Sequence, residues 1–235
     1  MYCVLTGAGI STDSGIPDFR GPNGVWTKDP SAQRMFTLDA YVSDPALRLR
    51  AWQARMEHPA WDAQPNDGHR ALVDLERRGL PHTLVTQNID GLHQRAGNDP
   101  AKVVEMHGTL YEVECLRCGA RTPMHEALER VRDGEHDPPC LGCGGILKSA
   151  TVSFGQSLDA ANVARARDAA VECDVFLAVG TSLTVRPVAA LAPLAKRAGA
   201  RLVVVNAEPT PYDAIADDVV REPIALALPR LVGAA

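Results

Sequence analysis

The sequence predicts an α/β fold in which helices cover both faces of an open parallel sheet and two insertions build a smaller lobe. Short apolar runs alternate with longer stretches of helical period, which is typical of parallel strands joined by crossover helices. Two segments break this alternation, and one of them holds two C-x-x-C pairs. The 235 residues, 46% of them hydrophobic, suffice for one large domain with an insertion and exclude a disordered or collagen-like chain.

Six short apolar runs are the predicted strands of the sheet, since they are brief and mostly rich in β-branched residues. Parallel strands end at the same edge of a sheet, so the residues that directly follow these runs are expected to meet in one crevice. The predicted strands span residues 2–6, 82–86, 102–106, 175–179, 202–206 and 218–220.

The stretches between these strands predict helices and two insertions. Residues 69–78 have an apolar helical face, and residues 187–198 open with a proline, which is favoured in the first turn of a helix. Residues 26–65 are expected to be helical, and residues 110–149 are expected to fold around the cysteines. We predict that these two insertions form the small domain. The large domain is then built from residues 1–25, 66–109 and 150–235.

Charge and hydropathy exclude several classes of partner. Lysine and arginine total 24 against 29 for aspartate and glutamate, a formal net charge of -5, so nucleic-acid binding is not expected. No apolar run approaches the roughly 18 residues that span a bilayer, so no membrane partner is expected. Residues 1–11 carry no basic stretch before their apolar run and enter a glycine-rich turn, unlike a secretion signal. We therefore expect a cytoplasmic protein.

Four of the six cysteines form two pairs that predict a structural zinc site. Cys115 and Cys118 are separated from Cys140 and Cys143 by residues 119–139, and a glycine follows each pair. Each pair can close a tight knuckle that donates two thiolates to a tetrahedral ion. Because four thiolates fill the coordination sphere of Zn²⁺, the predicted ion stabilises the small lobe and has no catalytic position open.

The first glycine-rich turn predicts a phosphate-binding loop. Gly7, Ala8 and Gly9 follow the first predicted strand, and glycines let the backbone approach a diphosphate at the start of a helix. The dinucleotide fingerprint G-x-G-x-x-G is incomplete, since Thr12 stands at its third glycine position. A threonine and a glutamine end the second strand, where an acidic residue would hold the ribose. A hydride-transferring dehydrogenase is therefore disfavoured.

Two more polar loops follow predicted strands. Gly180, Thr181 and Ser182 form a second candidate phosphate loop, and Asn206 and Glu208 follow the next strand, where either can hold a ribose by hydrogen bonds. Together with the first glycine-rich turn, these loops predict one nucleotide-binding crevice at the carboxyl edge of the sheet.

The ends of the second and third strands carry the candidate catalytic groups. Residues 86–93, TQNIDGLH, place amide, carboxylate and imidazole side chains close together, although an ordinary polar turn also explains this segment. His107 stands beside Gly108 at the end of the next strand. A lone histidine is more often structural, but one that faces a nucleotide site is a candidate general base because its pKa lies near physiological pH.

Residues 7–20, 86–93, 107–108, the four cysteines, 180–183 and Asn206 resemble, in this order, the sirtuins, a family of NAD-dependent protein-lysine deacylases. The match runs over nearly the whole chain, and its first motif holds fourteen consecutive residues. Many members place a helix before the first strand, where this sequence begins. The resemblance implies a Rossmann-like NAD-binding domain, a small zinc domain, and binding of NAD⁺ and an acyl-lysine peptide in the cleft between them.

The same resemblance implies roles for individual residues. His107 is implied to be the general base, and Asn88 and Asp90 are implied to orient the nicotinamide and its ribose. In the implied reaction the acyl oxygen attacks the ribose C1′ as nicotinamide leaves, and the base then deprotonates a ribose hydroxyl, so that the acyl group ends on ADP-ribose. The residues implied to bind NAD⁺ are Gly7, Ala8, Gly9, Asp18, Phe19, Arg20, Gln87, Asn88, Ile89, Asp90, Gly180, Thr181, Ser182, Asn206, Glu208 and Ile224.

Residues 148–156 resemble the segment of the family that pairs with the peptide substrate. Ser149 replaces a usual proline there and Gln156 a usual glutamate, and backbone pairing with a peptide tolerates both changes. The residues of this segment implied to contact substrate are Val152, Phe154 and Gly155.

Trp52 and Arg55 bear on the acyl group that the protein accepts. Desuccinylases of the family carry Tyr-x-x-Arg here, and a spacing of three places both side chains on one helical face, where an indole N–H and a guanidinium can clamp a carboxylate. A buried Trp52 with a solvated Arg55 is equally consistent with the pattern. Asp18 resembles the deacetylases, because desuccinylases usually have threonine there. We therefore expect a preference for acetyl-lysine.

Other functions stay open at this point. A desuccinylase or broader deacylase is one alternative. A mono-ADP-ribosyltransferase, which passes the activated ribose to protein, and a noncatalytic NAD sensor are two more. His107 together with the intact 87–90 motif argues against the sensor, because binding alone needs no base.

Overall fold

The structure is a computed structural model that describes residues 1–80 and 82–233. Its strands, numbered in chain order, are β1 Tyr2–Thr6, β2 His82–Thr86, β3 Val103–Glu105, β4 Gly108–Cys115, β5 Arg121–Pro123, β6 Leu147–Thr151, β7 Val175–Val179, β8 Arg201–Val205 and β9 Asp218–Val220. Its α-helices are α1 Val25–Lys28, α2 Leu38–Ser43, α3 Pro45–Met56, α4 Asp67–Arg77, α5 Leu92–Ala96, α6 Met124–Arg132, α7 Ala160–Glu172, α8 Leu191–Ala198 and α9 Ile224–Gly233.

Within the described residues, six parallel strands form the large sheet in the order β3-β2-β1-β7-β8-β9. The chain runs outward from β1 to β3 and later returns to the other side of β1 with β7. The order therefore reverses between β1 and β7, which is the place where open α/β sheets bind ligands. The predicted fold class is confirmed.

Side chains alternate between the two faces of this sheet, and helices bury both. Val4 packs on the face covered by α4 and α9, with Leu72 and Leu228. Leu5 packs on the opposite face with Ala166 of α7 and Ala192 of α8. Burial on both faces explains why the strands read as continuous apolar runs.

The predicted elements differ from the structure mainly at their ends. The strand expected at 102–106 is Val103–Glu105, and the one expected at 202–206 is Arg201–Val205. The helix expected from Pro187 begins as a 3-10 turn, Val188–Ala190, before α8. Helix α4 starts two residues earlier than expected because the Asn66 side chain caps it, accepting from the backbone of Gly68 and His69.

The small lobe has a three-stranded antiparallel sheet in the order β5-β4-β6, flanked by α6. Trp52 of α3 is packed in one core with Val113, Met124 and Leu147, so residues from both insertions share a hydrophobic cluster. Tyr41 adds a second link, since its hydroxyl donates to the carbonyl of Leu147 at 2.8 Å. Strands β4 and β6 extend two residues beyond the 110–149 segment at either end.

Across residues 1–80 and 82–233, none of the helices combines the length and the apolar composition needed to cross a membrane.

Candidate active site

Three loops meet at the carboxyl ends of β1, β2 and β7. Backbone hydrogen bonds join them: Gly7 donates to Val179 at 3.0 Å, Gly9 donates to Gly180 at 2.9 Å, and Gln87 donates to the carbonyl of Thr6 at 3.0 Å. The crevice predicted from the polar strand ends is therefore a single, hydrogen-bonded set of loops at the reversal point of the sheet.

The glycines of these loops allow backbone to pack on backbone. A Cβ built on Gly7 would lie 2.7 Å from the Gly180 carbonyl oxygen, and one on Gly9 would lie 2.8 Å from the Gly180 Cα. Both distances are below any real Cβ contact. The sequence-based prediction that these glycines let the backbone approach a diphosphate stays a prediction, and the structure adds that both are required for the contact between the two loops. Ala8, between them, opens a 3-10 helix, Ala8–Ser14.

Asn88 is buried with its amide group held in one orientation. Its Nδ2 donates to the carbonyl of Gly7 at 3.1 Å and to the hydroxyl of Ser11 at 3.2 Å. Because a backbone carbonyl only accepts, this contact must involve the NH₂ side of the amide. The Asn88 Oδ1 is therefore left as an acceptor for a ligand.

Asp90 is held by the same serine. Its Oδ2 accepts from the Ser11 hydroxyl at 2.7 Å, and its Oδ1 accepts from the backbone N–H of Leu92 at 3.0 Å. Burial raises the pKa of this carboxyl, and the two hydrogen bonds oppose the shift. Ser11 was not singled out from the sequence, although it lies in the 7–20 motif and is completely buried.

Gln87 joins the second loop to the third and to His107. Its side-chain Nε2 donates to the Thr181 hydroxyl at 2.9 Å, and its main-chain oxygen lies 2.9 Å from His107 Nδ1. Because that oxygen can only accept, Nδ1 carries the proton and Nε2 has the lone pair. Burial lowers the pKa of His107, and the bond to Gln87 partly opposes this shift. His107 is therefore a neutral, oriented base at physiological pH.

The segment after the first loop is organised around an aromatic cluster. Asp18 accepts from the backbone of Gly21 at 2.9 Å, which fixes the turn. The Phe19 ring lies 4.8 Å from that of Trp26, and the Arg20 guanidinium lies 4.5 Å from the centre of the same indole. Trp26 is a residue that sequence reasoning did not single out here.

The remaining residues with an expected role in NAD⁺ binding lie along the same sheet edge. Asn206 and Glu208 follow β8, and the Asn206 side chain donates to the Glu208 carbonyl at 2.8 Å. Ser182 follows β7, where its hydroxyl lies 2.8 Å from that of Thr184.

Two isoleucines are also among the residues with an expected role in NAD⁺ binding. Ile224 is the first residue of α9 and is half-buried. Ile89 holds the start of β4, because its carbonyl accepts from Leu110 at 3.0 Å.

The expected substrate segment lies against both His107 and the helical insertion. Val152 donates its backbone N–H to the His107 carbonyl at 2.9 Å. Phe154 donates to the Phe36 carbonyl at 2.7 Å and accepts from Leu38 at 3.0 Å. The backbone of Gly155 makes no hydrogen bond within the described residues, so its N–H and C=O are free to pair with another extended segment.

The structure does not offer Trp52 and Arg55 as a free clamp for a carboxylate. Trp52 is completely buried, and its indole N–H donates to Asp137 at 3.3 Å. The Arg55 guanidinium donates to the carbonyl of Ala51 and to the hydroxyl of Ser149, both at 2.8 Å. Trp52 and Arg55 do lie on one face of α3, as their spacing predicts. That face is turned toward the core of the small lobe, where Trp52 packs. Arg55 is half-buried rather than fully exposed, and this burial lowers its pKa.

The four predicted ligand cysteines converge. Their sulfur atoms all lie within 4.8 Å of one another, with 3.4 Å between Cys115 and Cys143 and 3.8 Å between Cys118 and Cys140. Zn–S bonds of about 2.3 Å in a tetrahedron place sulfurs about 3.8 Å apart, so the group fits a zinc ion. Gly119 and Gly144, both at positive φ, close the two knuckles.

Comparison with known proteins identifies one family. A profile of the Sir2 family matches residues 7–187. An NAD-dependent protein deacetylase 2 from Streptomyces coelicolor is 56% identical over 232 residues, which cover 99% of this chain and 96% of that protein. A Sir2 structure with a p53 peptide and NAD⁺ superposes with a TM-score of 0.89 at 34% identity, covering 100% of this chain and 92% of the other. Another, with a deacetylated p53 peptide and 3′-O-acetyl ADP ribose, superposes with a TM-score of 0.91 at 34% identity, covering 100% and 93%.

Proposed function

The chain belongs to the Sir2 family, and we propose from this premise that it is an NAD-dependent protein-lysine deacetylase that transfers the acyl group to ADP-ribose and releases nicotinamide. The observation that carries the proposal is the arrangement of Asn88, Asp90 and His107. Two loops of one crevice hold all three groups by hydrogen bonds, with an amide oxygen and a basic nitrogen left for ligands.

In this proposal His107 is the general base. Its Nδ1–H is bound to the Gln87 carbonyl, so Nε2 accepts the proton from a ribose hydroxyl. The lowered pKa keeps the imidazole neutral before that step. Asn88 accepts a hydrogen bond from the nicotinamide ribose through Oδ1, because its NH₂ group is already bound to Gly7 and Ser11. NAD⁺, when bound, supplies an electrophilic ribose carbon with nicotinamide as its leaving group.

Asp90 and Ser11 keep Asn88 in place. The Ser11 hydroxyl donates to Asp90 and therefore accepts from Asn88. If the Asn88 amide were reversed, its oxygen would face the Gly7 carbonyl oxygen. Both atoms are acceptors, so no hydrogen bond could form between them. The three side chains thus form a pre-organised site that needs little rearrangement when the cofactor binds.

In this proposal the site lies between two lobes. The small lobe consists of residues 26–65 and 110–149, and the large lobe consists of the rest of the chain. Phe154 of the substrate segment contacts Trp26 at 5.9 Å between ring centres, and Trp26 contacts Phe19 of the expected cofactor segment. A shared aromatic cluster allows cofactor and substrate segments to close together. Closure would exclude water, which otherwise hydrolyses the activated ribose.

The partner of this proposal is an acyl-lysine protein or peptide, and Zn²⁺ at the four cysteines has a structural role. Four thiolates leave no position for water, so no step of the reaction passes through the metal. A set of reduced cysteines also suits a cytoplasmic location.

Mass spectrometry of one reaction tests the proposal. The purified protein is incubated with an acetyl-lysine peptide and NAD⁺, and a reaction without NAD⁺ is the control. The expected products are the free lysine peptide, nicotinamide and acetyl-ADP-ribose in equal amounts. A peptide that gains ADP-ribose would establish the transferase instead, and an unchanged peptide with bound NAD⁺ would establish the sensor.

The same assay, run with matched acetyl and succinyl peptides, tests the acyl preference. We expect a higher kcat/KM for acetyl-lysine, because the Trp52 indole is bound to Asp137 and the Arg55 guanidinium has other partners. An acidic acyl group would lose its hydration without a full set of donors in return. Because the Arg55 guanidinium is held by Ala51 and Ser149, Arg55→Met should change the acetyl and succinyl activities in the same proportion. A wild-type preference for succinyl-lysine would contradict this account of the acyl site.

A further inference from the structure

We infer that Thr6, Thr86 and His93 are positioning residues that orient His107 through a buried chain of hydrogen bonds ending on the peptide group between Gln87 and Asn88. The inference rests on the proposed role of His107 as base. None of the three residues is among those expected to contact cofactor or substrate. All three are 2% exposed or less.

The chain consists of consecutive short contacts. His93 Nε2 lies 2.9 Å from the Thr6 hydroxyl, and that hydroxyl donates to the Thr86 hydroxyl at 2.8 Å. The Thr86 oxygen in turn accepts from the backbone N–H of Asn88 at 3.1 Å. Every link is within normal hydrogen-bond distance.

The last link reaches His107 through one peptide group. The N–H of Asn88 and the C=O of Gln87 belong to the same planar unit. Its N–H donates to Thr86, and its oxygen accepts from His107 Nδ1 at 2.9 Å. A hydrogen bond on the N–H side fixes the plane of the peptide and polarises its carbonyl, which makes that carbonyl a better and more directed acceptor.

The directions of the bonds are consistent along the whole chain. Because the proton of Thr6 goes to Thr86, the Thr6 oxygen must accept from His93, so His93 carries its proton on Nε2. Burial lowers the pKa of His93 well below its ordinary value, so the ring is neutral and this single tautomer is available. The neighbouring His69, whose ring centre is 5.0 Å away, is the other ionisable group that affects it.

The burial of these polar groups argues that they are used as a set. A hydroxyl or imidazole without a partner is costly inside a protein, and removal of any one member leaves its neighbour unsatisfied. Valine would fill the place of either threonine in a β-strand at no cost in β-propensity. The Thr86 hydroxyl is therefore best explained by its contact with the 87–88 peptide, and the Thr6 hydroxyl by its contacts with Thr86 and His93.

Thr86→Val tests this chain of hydrogen bonds. Thr83→Val, on the opposite face of the same strand, is the matched control. The direct readout is the ¹⁵N spectrum of the His107 imidazole, identified by its loss in His107→Gln. In wild type we expect the shifts of a ring protonated on Nδ1. In Thr86→Val we expect averaged shifts of both tautomers, while Thr83→Val keeps the wild-type pattern.

Kinetics provide the second readout. Deacetylation by Thr86→Val should fall about tenfold, the loss expected when one hydrogen bond to the base is weakened. Exchange of labelled nicotinamide, which precedes the base, and the Kd for NAD⁺ should stay within about twofold of wild type. Equal losses in deacetylation, exchange and NAD⁺ binding would overturn the inference, because they would indicate general disruption of the loops.

Variants at His93 distinguish positioning from packing. In His93→Gln the side-chain amide retains an N–H donor for Thr6, so the tautomer of His107 and most of the turnover should be preserved. His93→Leu fills the space without a donor and should behave as Thr86→Val does. Similar behaviour of the two His93 variants would overturn the inference. The NMR readout needs no turnover. An inactive wild type would therefore refute the proposed function, and the hydrogen-bond chain could still be tested by NMR.

Discussion

At the scale of single residues, the environment gives three histidines two different roles. His107 is half-buried, with one nitrogen bound to a carbonyl and the other free for a proton. His69 and His93 are completely enclosed, and burial lowers the pKa of His69 to about 4. Each of the three rings has one nitrogen in a hydrogen bond, so the environment of the second nitrogen separates the roles. That nitrogen is buried in His69 and His93, which are neutral structural groups, whereas His107 is only half-buried and its Nε2 can act as a base.

The pH dependence of turnover follows from the His107 environment. Burial disfavours the imidazolium, so the pKa of His107 lies below its ordinary value of 6.5. The imidazole is therefore neutral and able to act as a base above its lowered pKa. It becomes protonated, and the base is lost, as the pH falls through that lowered pKa. We expect kcat/KM for an acetyl peptide to be flat from pH 8 to about pH 6.5 and to decline only below it.

The measurement is a pH series with peptide well below its KM, with Thr83→Val as control. An acid limb centred at or above pH 6.5 would contradict the assigned environment of His107.

The chemistry of most candidate residues could be predicted from the sequence, but their geometry could not. Asn88, Asp90 and His107 follow strand ends, and parallel strands bring such positions together. The orientation of Trp52 was not predictable, because a spacing of three fixes a shared helical face without saying which way that face points. Ser11 was overlooked because its role depends on two partners 77 and 79 residues away.

At the scale of elements, strands were easier to predict than helices. Strands β1 and β7 are short, mostly apolar runs that each end directly before a glycine, so their limits were predicted without error. Helix α7 was not identified because its buried face is made of alanines such as Ala166 and Ala170, which hydropathy patterns barely register. The start of α8 was misplaced because the first turn is a 3-10 turn.

The zinc knuckles give a prediction at this scale. One cysteine pair lies at the end of β4 and the other lies before β6, so the metal should contribute on the order of 10 kcal/mol to the folding of the small lobe. Elemental analysis is expected to find about one Zn per chain. Removal by a chelator should lower the Tm and expose Trp52, which shares a core with the site and reports through its fluorescence.

Chelator already saturated with zinc is the control for that experiment, and Cys118→Ala should reproduce the effect of metal removal. A folded, active protein with metal content near zero would exclude the zinc site.

At the scale of the whole molecule, the topology explains why one crevice holds every group of the proposed reaction. Strands β2, β1 and β7 are neighbours, so the loops with Asn88, Gly9 and Gly180 touch without any long connection. The segment proposed to bind substrate follows β6, and the backbone N–H of Val152 donates to the His107 carbonyl. Local sequence patterns do not contain this arrangement, because it depends on pairing between strands more than 70 residues apart.

The central claim is that the crevice binds NAD⁺ through one set of groups and performs the deacylation with another, His107. The most direct test compares NAD⁺ binding by calorimetry with deacetylation turnover in His107→Ala. We expect the Kd to stay within about twofold of wild type and nicotinamide exchange to persist, while deacetylation falls by about 10³-fold or more, because the base acts after the cofactor is bound. A parallel loss of NAD⁺ affinity and turnover, or turnover that survives the substitution, would contradict the account.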